Sequence, residues 1–303
     1  MKDKIIEYSK QIGIDEIGFT NADISETLQE KLCLQKSLGF ECEFQVGDIG
    51  ERTDPKKLMT SCETIIAVLI SYHKTCDKFE NLGDREVYFS SSSWGEDYHK
   101  VLKGRMLQLT EYIKECAPDL EYKIVVDTSV LCDRTIAYNA GLGFFGKNNL
   151  LINEKHGSYV FLGAILTNLN LEKDTPLTRS CVDCNKCVDA CPSGALSEKG
   201  ILDSKKCLAY ITQKKGNLND AEKNLLNNCI YGCDICQRVC PHNLKIKSKQ
   251  EVFLPTGAEF INIDEYVPMS NRKFKQAYGH LSGSWRGPKI INRNISVLKD
   301  KLD

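Results

Sequence analysis

Residues 179–196 read RSCVDCNKCVDACPSGAL, and residues 231–243 read YGCDICQRVCPHN. The first stretch contains the pattern C-x2-C-x2-C-x3-C-P, which starts at Cys181, and the second contains C-x2-C-x3-C-P, which starts at Cys233. The first pattern is that of bacterial ferredoxins, in which three cysteines bind one [4Fe–4S] cluster and the fourth binds the neighbouring cluster. The two stretches therefore predict a ferredoxin-like domain that binds two [4Fe–4S] clusters.

The identity of the eighth ligand is left open by the cysteine spacing. If each run lends its last cysteine to the other cluster, the second cluster has three ligands and needs one more. The candidates are Cys207 and Cys229. Cys229 would extend the second run to C-x3-C-x2-C-x3-C-P, so local spacing favours Cys229 slightly. A zinc site is the alternative interpretation, but zinc sites rarely have the spacing of the first run.

Composition excludes several classes of protein. The chain has 303 residues, of which 42% are hydrophobic and 27% charged, and its net charge is −1. A nucleic-acid site would therefore have to be a local basic patch. The start of the chain has no signal-peptide pattern, and no run of about 18 apolar residues could span a membrane. We therefore predict a cytoplasmic protein whose six cysteines outside the cluster region are buried or free thiols.

The chain divides by pattern into segments 1–170, 171–250 and 251–303. Apolar periodicity predicts helices at 2–12, 97–113 and 132–140, and strands at 65–70, 123–126 and 159–166. We therefore expect an α+β protein. An N-terminal α/β domain with a covered sheet precedes the ferredoxin-like domain, and a short helical segment follows it. Two clusters form an electron relay, and the large N-terminal domain is the candidate recipient of the electrons.

The C-terminal segment carries a basic, aromatic stretch. Residues 267–294 contain no Asp or Glu, and Trp285 and Arg286 lie within this stretch. Together with Lys214 and Lys215, these residues suit phosphate contacts and base stacking in RNA. For each of them, a solvated basic face is an equally good interpretation.

Beyond the cysteine runs, four stretches resemble the epoxyqueuosine reductase family, a cobalamin-dependent, two-cluster iron–sulfur family of tRNA modification. The stretches are VVDTSVLCDRTIAYNAGLGFFGKNNLL (125–151), GSYVFLGAILTN (157–168), LDSKKCLAYITQKKG (202–216) and SNRKFKQAYGHLSGSWRG (270–287). The resemblance implies that epoxyqueuosine at the anticodon wobble position of tRNA is reduced to queuosine, and the epoxide oxygen leaves as water. It also implies that cobalamin lies over the N-terminal domain, next to a cluster.

The resemblance assigns the cluster ligands. It implies one cluster bound by Cys181, Cys184, Cys187 and Cys240, and a second bound by Cys191, Cys207, Cys233 and Cys236. Cys229 matches a position that is not usually cysteine in the family. The resemblance therefore selects Cys207, against the local spacing.

The resemblance also implies a general acid at Asp127. A neutral carboxyl group could protonate the oxygen as the epoxide opens, and burial beside a flat corrin would raise its pKa as required. From the residues alone, a helix N-cap is the more common role for Asp127, because Asp-Thr-Ser precedes a predicted helix. The five histidines have no metal-binding spacing, and we interpret His99 and His242 as structural.

The cobalamin contacts that the resemblance implies are Arg52, Ser90, Asp127, Leu151, Leu162 and Asp234. Arg52 could instead be a surface charge, and Leu151 and Leu162 could be ordinary core residues. The four serines at 90–93 depart from the family, which often has an Arg-Tyr-Ala-type sequence there. Many members also continue beyond the SGSWRG segment into a helical-repeat tail that is absent from this sequence.

The implied partners are the anticodon stem-loop of tRNA and a reduced flavodoxin or ferredoxin, and we expect a monomer. Two alternatives are another corrinoid iron–sulfur reductase related to reductive dehalogenases, and a ferredoxin-type electron carrier. The basic C-terminal stretch argues against the first, and the large N-terminal domain argues against the second.

Overall fold

The computed structural model describes residues 1–181, 183–247 and 250–303, and it divides the chain into two compact units. The first unit comprises Met1–Ser71 and His99–Cys184, and the second comprises Tyr72–Tyr98 and Asn185–Asp303. The predicted segments 1–170, 171–250 and 251–303 follow composition, whereas the compact units follow contacts. Residues 72–98 group by contacts with the cysteine-rich part of the chain, which composition does not indicate.

The helices are α1 (Lys2–Gln11), α2 (Glu26–Ser37), α3 (Ile49–Thr53), α4 (Asp77–Glu80), α5 (Tyr98–Cys116), α6 (Asp133–Asn139), α7 (Lys186–Asp189), α8 (Leu208–Ile211), α9 (Asp220–Leu225), α10 (Ile235–Arg238), α11 (Asn271–Tyr278) and α12 (Pro288–Leu302). The strands are β1 (Glu16–Asn21), β2 (Thr64–Ser71), β3 (Glu86–Phe89), β4 (Tyr122–Val125), β5 (Phe144–Phe145), β6 (Leu151–Ile152), β7 (Val160–Thr167), β8 (Cys229–Tyr231) and β9 (Phe260–Asn262). Short 3-10 helices lie at Pro55–Lys57, Ser91–Ser93, Pro241–Asn243, Glu251–Phe253 and Ser282–Arg286. The six elements predicted by periodicity are confirmed as α1, α5, α6, β2, β4 and β7.

The first unit is built on a four-stranded sheet in the order β1-β2-β7-β4. All eight residues of β2 are buried, because helices cover both faces of the sheet. Ile65, Ala67 and Leu69 share a core with residues of α6. On the other face, a Cβ added at Gly163 would lie 2.9 Å from Met106 Cε of α5, so the missing side chain allows the helix to approach closely.

Every neighbouring strand pair in this sheet is antiparallel. The first unit is therefore α+β, and the prediction of an α/β arrangement, which implies parallel strands, was wrong in this respect. The physical reason is that a strand covered on both faces has a continuous apolar sequence whichever way its neighbours run. The mixed helix-and-sheet class itself was predicted correctly.

The second unit contains a three-stranded sheet in the order β8-β3-β9, in which β3 is parallel to β8 and antiparallel to β9. Its core joins the sheet to α11 and α12 through Phe89, Ile230, Ile261, Phe274 and Ile291. The C-terminal segment is helical, as predicted. Among the helices that the structure describes, none has the length and apolar character needed to cross a membrane.

Candidate functional site

Cysteines of the second unit interact electrostatically with one another: Cys191, Cys207 and Cys229 with Cys233, and Cys187, Cys207 and Cys233 with Cys236. Burial is the largest of the causes that raise the pKa of the Cys233 thiol to about 12, and the Asp234 carboxylate and the Cys207 and Cys191 thiols act in the same direction. Burial also raises the pKa of the Cys236 thiol, and among its neighbours are Cys233 and Cys207. Thiolates gathered in a poorly hydrated site repel one another unless cations neutralise them. This donor set fits a cubane, whose iron atoms supply that positive charge.

Cys191 has hydrogen-bond donors directed at its sulfur. Burial alone would raise the pKa of this thiol, but donors at Ser193, Ala195 and Leu196 outweigh burial and leave the pKa below its ordinary value. The Ser193 hydroxyl lies 3.6 Å from Cys191 Sγ. Donors of this kind stabilise thiolate and tune the potential of a bound cluster.

Cys207 and Cys229 differ in their surroundings. Cys207 is partly exposed at the N-cap of α8, and it interacts electrostatically with Cys233 and Cys236. Cys229 is fully buried in β8, and its thiol donates to the carbonyl oxygens of Tyr231 at 3.2 Å and Gly232 at 3.5 Å. The Cys229 thiol therefore already has hydrogen-bond acceptors within its own strand and the following turn.

Among the cysteines of the other predicted cluster, Cys187 and Cys240 are buried, and Cys181 and Cys184 are partly exposed. In the described part of the chain, no three His, Cys, Asp or Glu side chains are arranged to hold a single metal ion. A cubane differs from a single ion because it distributes its four ligands over four iron atoms.

Asp127 lies in a strained turn of the first unit. Its φ is 53°, in the left-handed region that residues other than glycine rarely adopt. The Thr128 N–H donates to the Val126 carbonyl oxygen at 2.5 Å and closes a tight turn, residues 126–128, which we call the Asp127 turn. The Asp127 side chain is 64% exposed. The described protein residues therefore do not bury this carboxyl, and the predicted burial beside a cofactor stays a prediction.

The N-cap interpretation of Asp127 was wrong. Helix α6 begins at Asp133, and its N-cap is Cys132. The helix starts later than Asp-Thr-Ser suggests because the Asp127 turn comes between strand β4 and the helix. The Asp127 backbone N–H instead donates to Asp133 Oδ2 at 2.7 Å. His99, interpreted from the sequence as structural, places Nε2 at 3.5 Å from Asp127 Oδ2.

The first two residues of α6 each contact a left-handed residue of a loop. Asp133 accepts from Asp127, and the Arg134 guanidinium donates to the carbonyl oxygen of Asn149, whose φ is 60°. Sequence reasoning did not identify His99, Asp133 or Arg134 as site residues. The available signal was the charged pair Asp133-Arg134 at the start of a helix that is otherwise largely buried.

The predicted cofactor contacts in the first unit are mostly buried. The Arg52 side chain is only 11% exposed, with Nη1 3.9 Å from Glu41 Oε1, so Arg52 is not a simple surface charge. It lines a cleft with Asn21 and Cys132. Leu151 of β6 is buried in the core beside α6, and Leu162 of β7 packs partly buried against the same core.

Ser90 and Asp234 lie in one network of the second unit. Asp234 is buried, and its Oδ2 accepts from the Ser91 N–H at 2.9 Å. Burial raises the pKa of the Asp234 carboxyl, and the Ser91 N–H partly offsets that effect. The Ser90 N–H donates to the Tyr231 carbonyl at 2.9 Å. A Cβ added at Gly232 would lie 2.1 Å from Ser90 Oγ, so this position requires glycine.

The two predicted RNA-contacting lysines differ. The Lys214 ammonium forms an ion pair with Glu222 at 2.5 Å, whereas Lys215 is exposed. Lys214 and Lys215 lie in a loop that follows α8, and α12 contacts the backbone of this loop. Arg293 Nη1 donates to the carbonyl oxygens of Lys214 and Gly216, both at 2.7 Å. Asn294 Nδ2 donates to the carbonyl oxygens of Thr212 at 2.7 Å and Ile230 at 2.8 Å.

Trp285 is exposed and stacks on the partly buried Arg286. Trp285 is 59% exposed, and the Arg286 guanidinium carbon lies 4.0 Å from its ring centroid. The indole N–H donates to the Tyr231 hydroxyl at 2.8 Å, which fixes the plane of the ring. A flat, anchored ring beside a guanidinium group is suited to stacking on a nucleobase.

Comparison with known proteins gives a consistent family. A family model described as "4Fe-4S double cluster binding domain" matches residues 180–243, and one described as "Epoxyqueuosine reductase QueG, DUF1730" matches residues 52–128. The chain is 43% identical over 298 residues to an epoxyqueuosine reductase of Staphylococcus aureus, and the match covers 97% of this chain and 78% of the relative.

Solved structures are similar over nearly the whole chain. An epoxyqueuosine reductase with an epoxyqueuosine-modified tRNA-Tyr stem loop matches with a TM-score of 0.92 at 38% identity, over 98% of this chain and 80% of that chain. An epoxyqueuosine reductase from Bacillus subtilis, with a catalytic aspartate loop swung out of the active site, matches with the same TM-score, identity and coverage.

Proposed function

The chain belongs to the epoxyqueuosine reductase family, and we propose that it reduces epoxyqueuosine in the anticodon stem-loop of tRNA to queuosine. The observation that carries this proposal is the identity of 43% over 97% of the chain, which includes the cysteine runs and the segment around Asp127. A match of this extent favours the reductase over a ferredoxin-type carrier, since a carrier would account only for residues 180–243.

The reaction must remove one oxygen atom from the epoxide. Both C–O bonds break, a carbon–carbon double bond forms, and water leaves, which requires two electrons and two protons. We propose that cobalamin and two [4Fe–4S] clusters are the resident cofactors. When bound, they supply the electrons.

The protein residues would hold these groups as follows. One cluster would be held by Cys191, Cys207, Cys233 and Cys236, and the other by Cys181, Cys184, Cys187 and Cys240. The mutual interactions of Cys207, Cys233 and Cys236 support the first set, and the donors at Cys191 suit a bound thiolate. For cobalamin we propose the contacts that the family resemblance implies, which are Arg52, Ser90, Leu151, Leu162 and Asp234.

Asp127 would deliver a proton to the epoxide oxygen. The left-handed turn directs the chain so that this carboxyl remains exposed, which leaves it accessible to a substrate. His99, whose Nε2 is 3.5 Å away, would orient the carboxyl or exchange a proton with it. The catalytic aspartate loop of the Bacillus subtilis relative supports this assignment.

RNA binding would use the exposed groups of the second unit. Lys215 would contact a backbone phosphate, and Trp285 and Arg286 would stack on an unpaired base of the loop. Lys214 would contribute less, because Glu222 already neutralises its charge. The modified base must leave its stack for the epoxide to be reached. We also propose a monomer in the cytoplasm, reduced by a flavodoxin or ferredoxin.

Nucleoside analysis tests the function directly. A strain that lacks its own epoxyqueuosine reductase should accumulate epoxyqueuosine in tRNA, and expression of this chain should convert it to queuosine. If epoxyqueuosine persists despite soluble, cluster-loaded protein, the proposal is wrong. A cobalamin-binding spectrum separates a different corrinoid reductase, which would bind the corrin without converting the tRNA, from a carrier that binds none.

A further inference from the structure

The carboxyl group of Asp133 contacts the backbone of the Asp127 turn. Its Oδ2 accepts the Asp127 N–H at 2.7 Å, next to the φ of 53°. A left-handed conformation at a residue with a side chain is unfavourable, so it persists only where neighbouring contacts stabilise it. The hydrogen bond to Asp133 is such a contact.

The second carboxyl oxygen of Asp133, Oδ1, differs from Oδ2 in its surroundings. Within residues 1–181, 183–247 and 250–303, Asp133 Oδ1 is buried and has no hydrogen-bond partner. A buried carboxylate oxygen without a donor is unfavourable, since it has lost its hydration. Two effects on the protonation of the Asp133 carboxyl therefore oppose each other: the Asp127 N–H favours the charged form, and burial favours the neutral form.

The charges that face Asp133 enter the same balance. Burial raises the pKa of Asp133 to about 7, and the charge of Asp127 raises it as well, whereas the Asp127 N–H, Arg134 and His99 lower it. Asp133 therefore changes its charge near neutral pH, and loss of the proton from Asp127 makes Asp133 a stronger base.

We propose that Asp133 is the positioning residue for Asp127: its carboxylate holds the left-handed backbone of the Asp127 turn, and uptake of a proton from solvent by Asp133 weakens that hold. The reason is that a hydrogen bond to an ionised acceptor is roughly twice as strong as one to a neutral acceptor. Once Asp127 has given its proton to a substrate, the new negative charge beside Asp133 favours proton uptake there. Donation of the proton by Asp127 is thereby coupled to release of the turn. Only this link to turnover rests on the proposed function.

Amide hydrogen exchange of the loaded enzyme tests the hold without catalysis. The protection factor of the Asp127 amide, corrected for intrinsic exchange, should rise about five- to tenfold as pH rises from 5.5 to 8.5. In Asp133→Asn, which keeps an acceptor but not the charge, protection should stay low and independent of pH. Asp133→Ala should lower it further. A protection factor in the parent protein that does not change with pH, or an unchanged pH dependence in Asp133→Asn, would overturn the proposal.

Asp174→Asn is the matched control. Asp174 Oδ2 also accepts a backbone N–H, that of Phe19 at 2.9 Å, in the same unit. This variant should leave protection of the Asp127 amide unchanged. Circular dichroism and iron content establish that each variant is folded, and if Asp133→Ala fails to fold, Asp133→Asn alone decides.

Single-turnover reduction of an epoxyqueuosine stem-loop supplies the catalytic measurement. The two carboxyls act with opposite sign: Asp127 must carry a proton, so the rate falls at high pH, whereas protonated Asp133 releases the turn, so the rate falls at low pH. Asp133→Asn is neutral at every pH, so it should keep the rate at its low-pH level up to neutral pH and thereby remove the low-pH limb, with stem-loop affinity unchanged. If the parent protein reduces no epoxyqueuosine, the proposed function fails, and hydrogen exchange still decides the role of Asp133.

Discussion

The Asp127 turn in the first unit and the cysteines Cys233 and Cys236 in the second have different physical environments. The Asp127 turn exposes the carboxyl that we propose as the general acid, and polar contacts hold its left-handed backbone. Cys233 and Cys236 have raised pKa values because they are removed from water. The proposed general acid is thus accessible to a substrate, whereas the proposed cluster ligands Cys233 and Cys236 are poorly hydrated. Substitutions should therefore act on reaction rate in the first unit and on cofactor content in the second.

The largest expected effect distinguishes Cys207 from Cys229. Cys207→Ser should lose half of the iron and all reductase activity, because one cluster lacks a thiolate. Cys229→Ser should keep its iron, since serine can still donate to the Tyr231 carbonyl. Iron analysis and the visible spectrum measure the outcome. Full iron loading in Cys207→Ser would remove it from the ligand set.

The substitution Asp127→Asn should have the second-largest effect. We expect the single-turnover rate to fall by roughly 10²–10⁴-fold, the range typical of a lost general acid. Iron content and cobalamin binding should remain as in the parent protein, which is the contrast with the cysteine variants. Unchanged turnover with intact cofactors would exclude a catalytic role for Asp127.

A smaller effect is expected on stability. Burial raises the pKa of Asp133 from 3.8 to about 7, so between these pH values the folded chain holds a proton that the unfolded chain has lost. Stability contributed by this group therefore falls as pH rises. The unfolding free energy of Asp133→Asn minus that of the parent protein should therefore increase by about 2 kcal/mol as pH rises from 5.5 to 8.5.

Urea unfolding followed by circular dichroism at both pH values measures this difference. Asp174→Asn serves as the control, because it also replaces a carboxyl that accepts a backbone N–H in the same unit. A difference in stability between Asp133→Asn and the parent protein that is the same at both pH values would show that Asp133 stays charged throughout.

The smallest effect concerns the two lysines. Lys215→Ala should weaken stem-loop binding by a few-fold. It should also reduce the slope of log affinity against log salt concentration by the amount expected for about one phosphate contact. Lys214→Ala should do less, because the Lys214 ammonium is paired with Glu222. Titration of a labelled stem-loop at several salt concentrations measures both, with Lys223→Ala as a control that keeps its binding. An equal loss for Lys214 and Lys215 would contradict the role given to Glu222.

The same contrast explains what could be predicted from the sequence. Cysteine ligands occur in short runs, so spacing alone identified the cluster domain, although the choice of Cys207 over Cys229 needed the family resemblance. Apolar periodicity located β2 and α6 correctly, but it carried no information about strand direction. The contact between Asp133 and the Asp127 N–H involves a backbone group and an unusual φ, neither of which leaves a pattern in the sequence. The grouping of residues 72–98 with the second unit depends on β3 pairing with β8 and β9, which are distant in sequence.

The hydrogen bonds from Arg293 and Asn294 to the loop after Cys207 also set an order of assembly. The ribosome makes Cys207 well before α12, so the nascent chain presents this cysteine before the loop behind it has its support. The cluster that we propose for Cys207 should therefore be delivered only after α12 is complete. Nascent chains arrested before residue 288 should recruit the cluster poorly, even though all eight cysteines have already been synthesised.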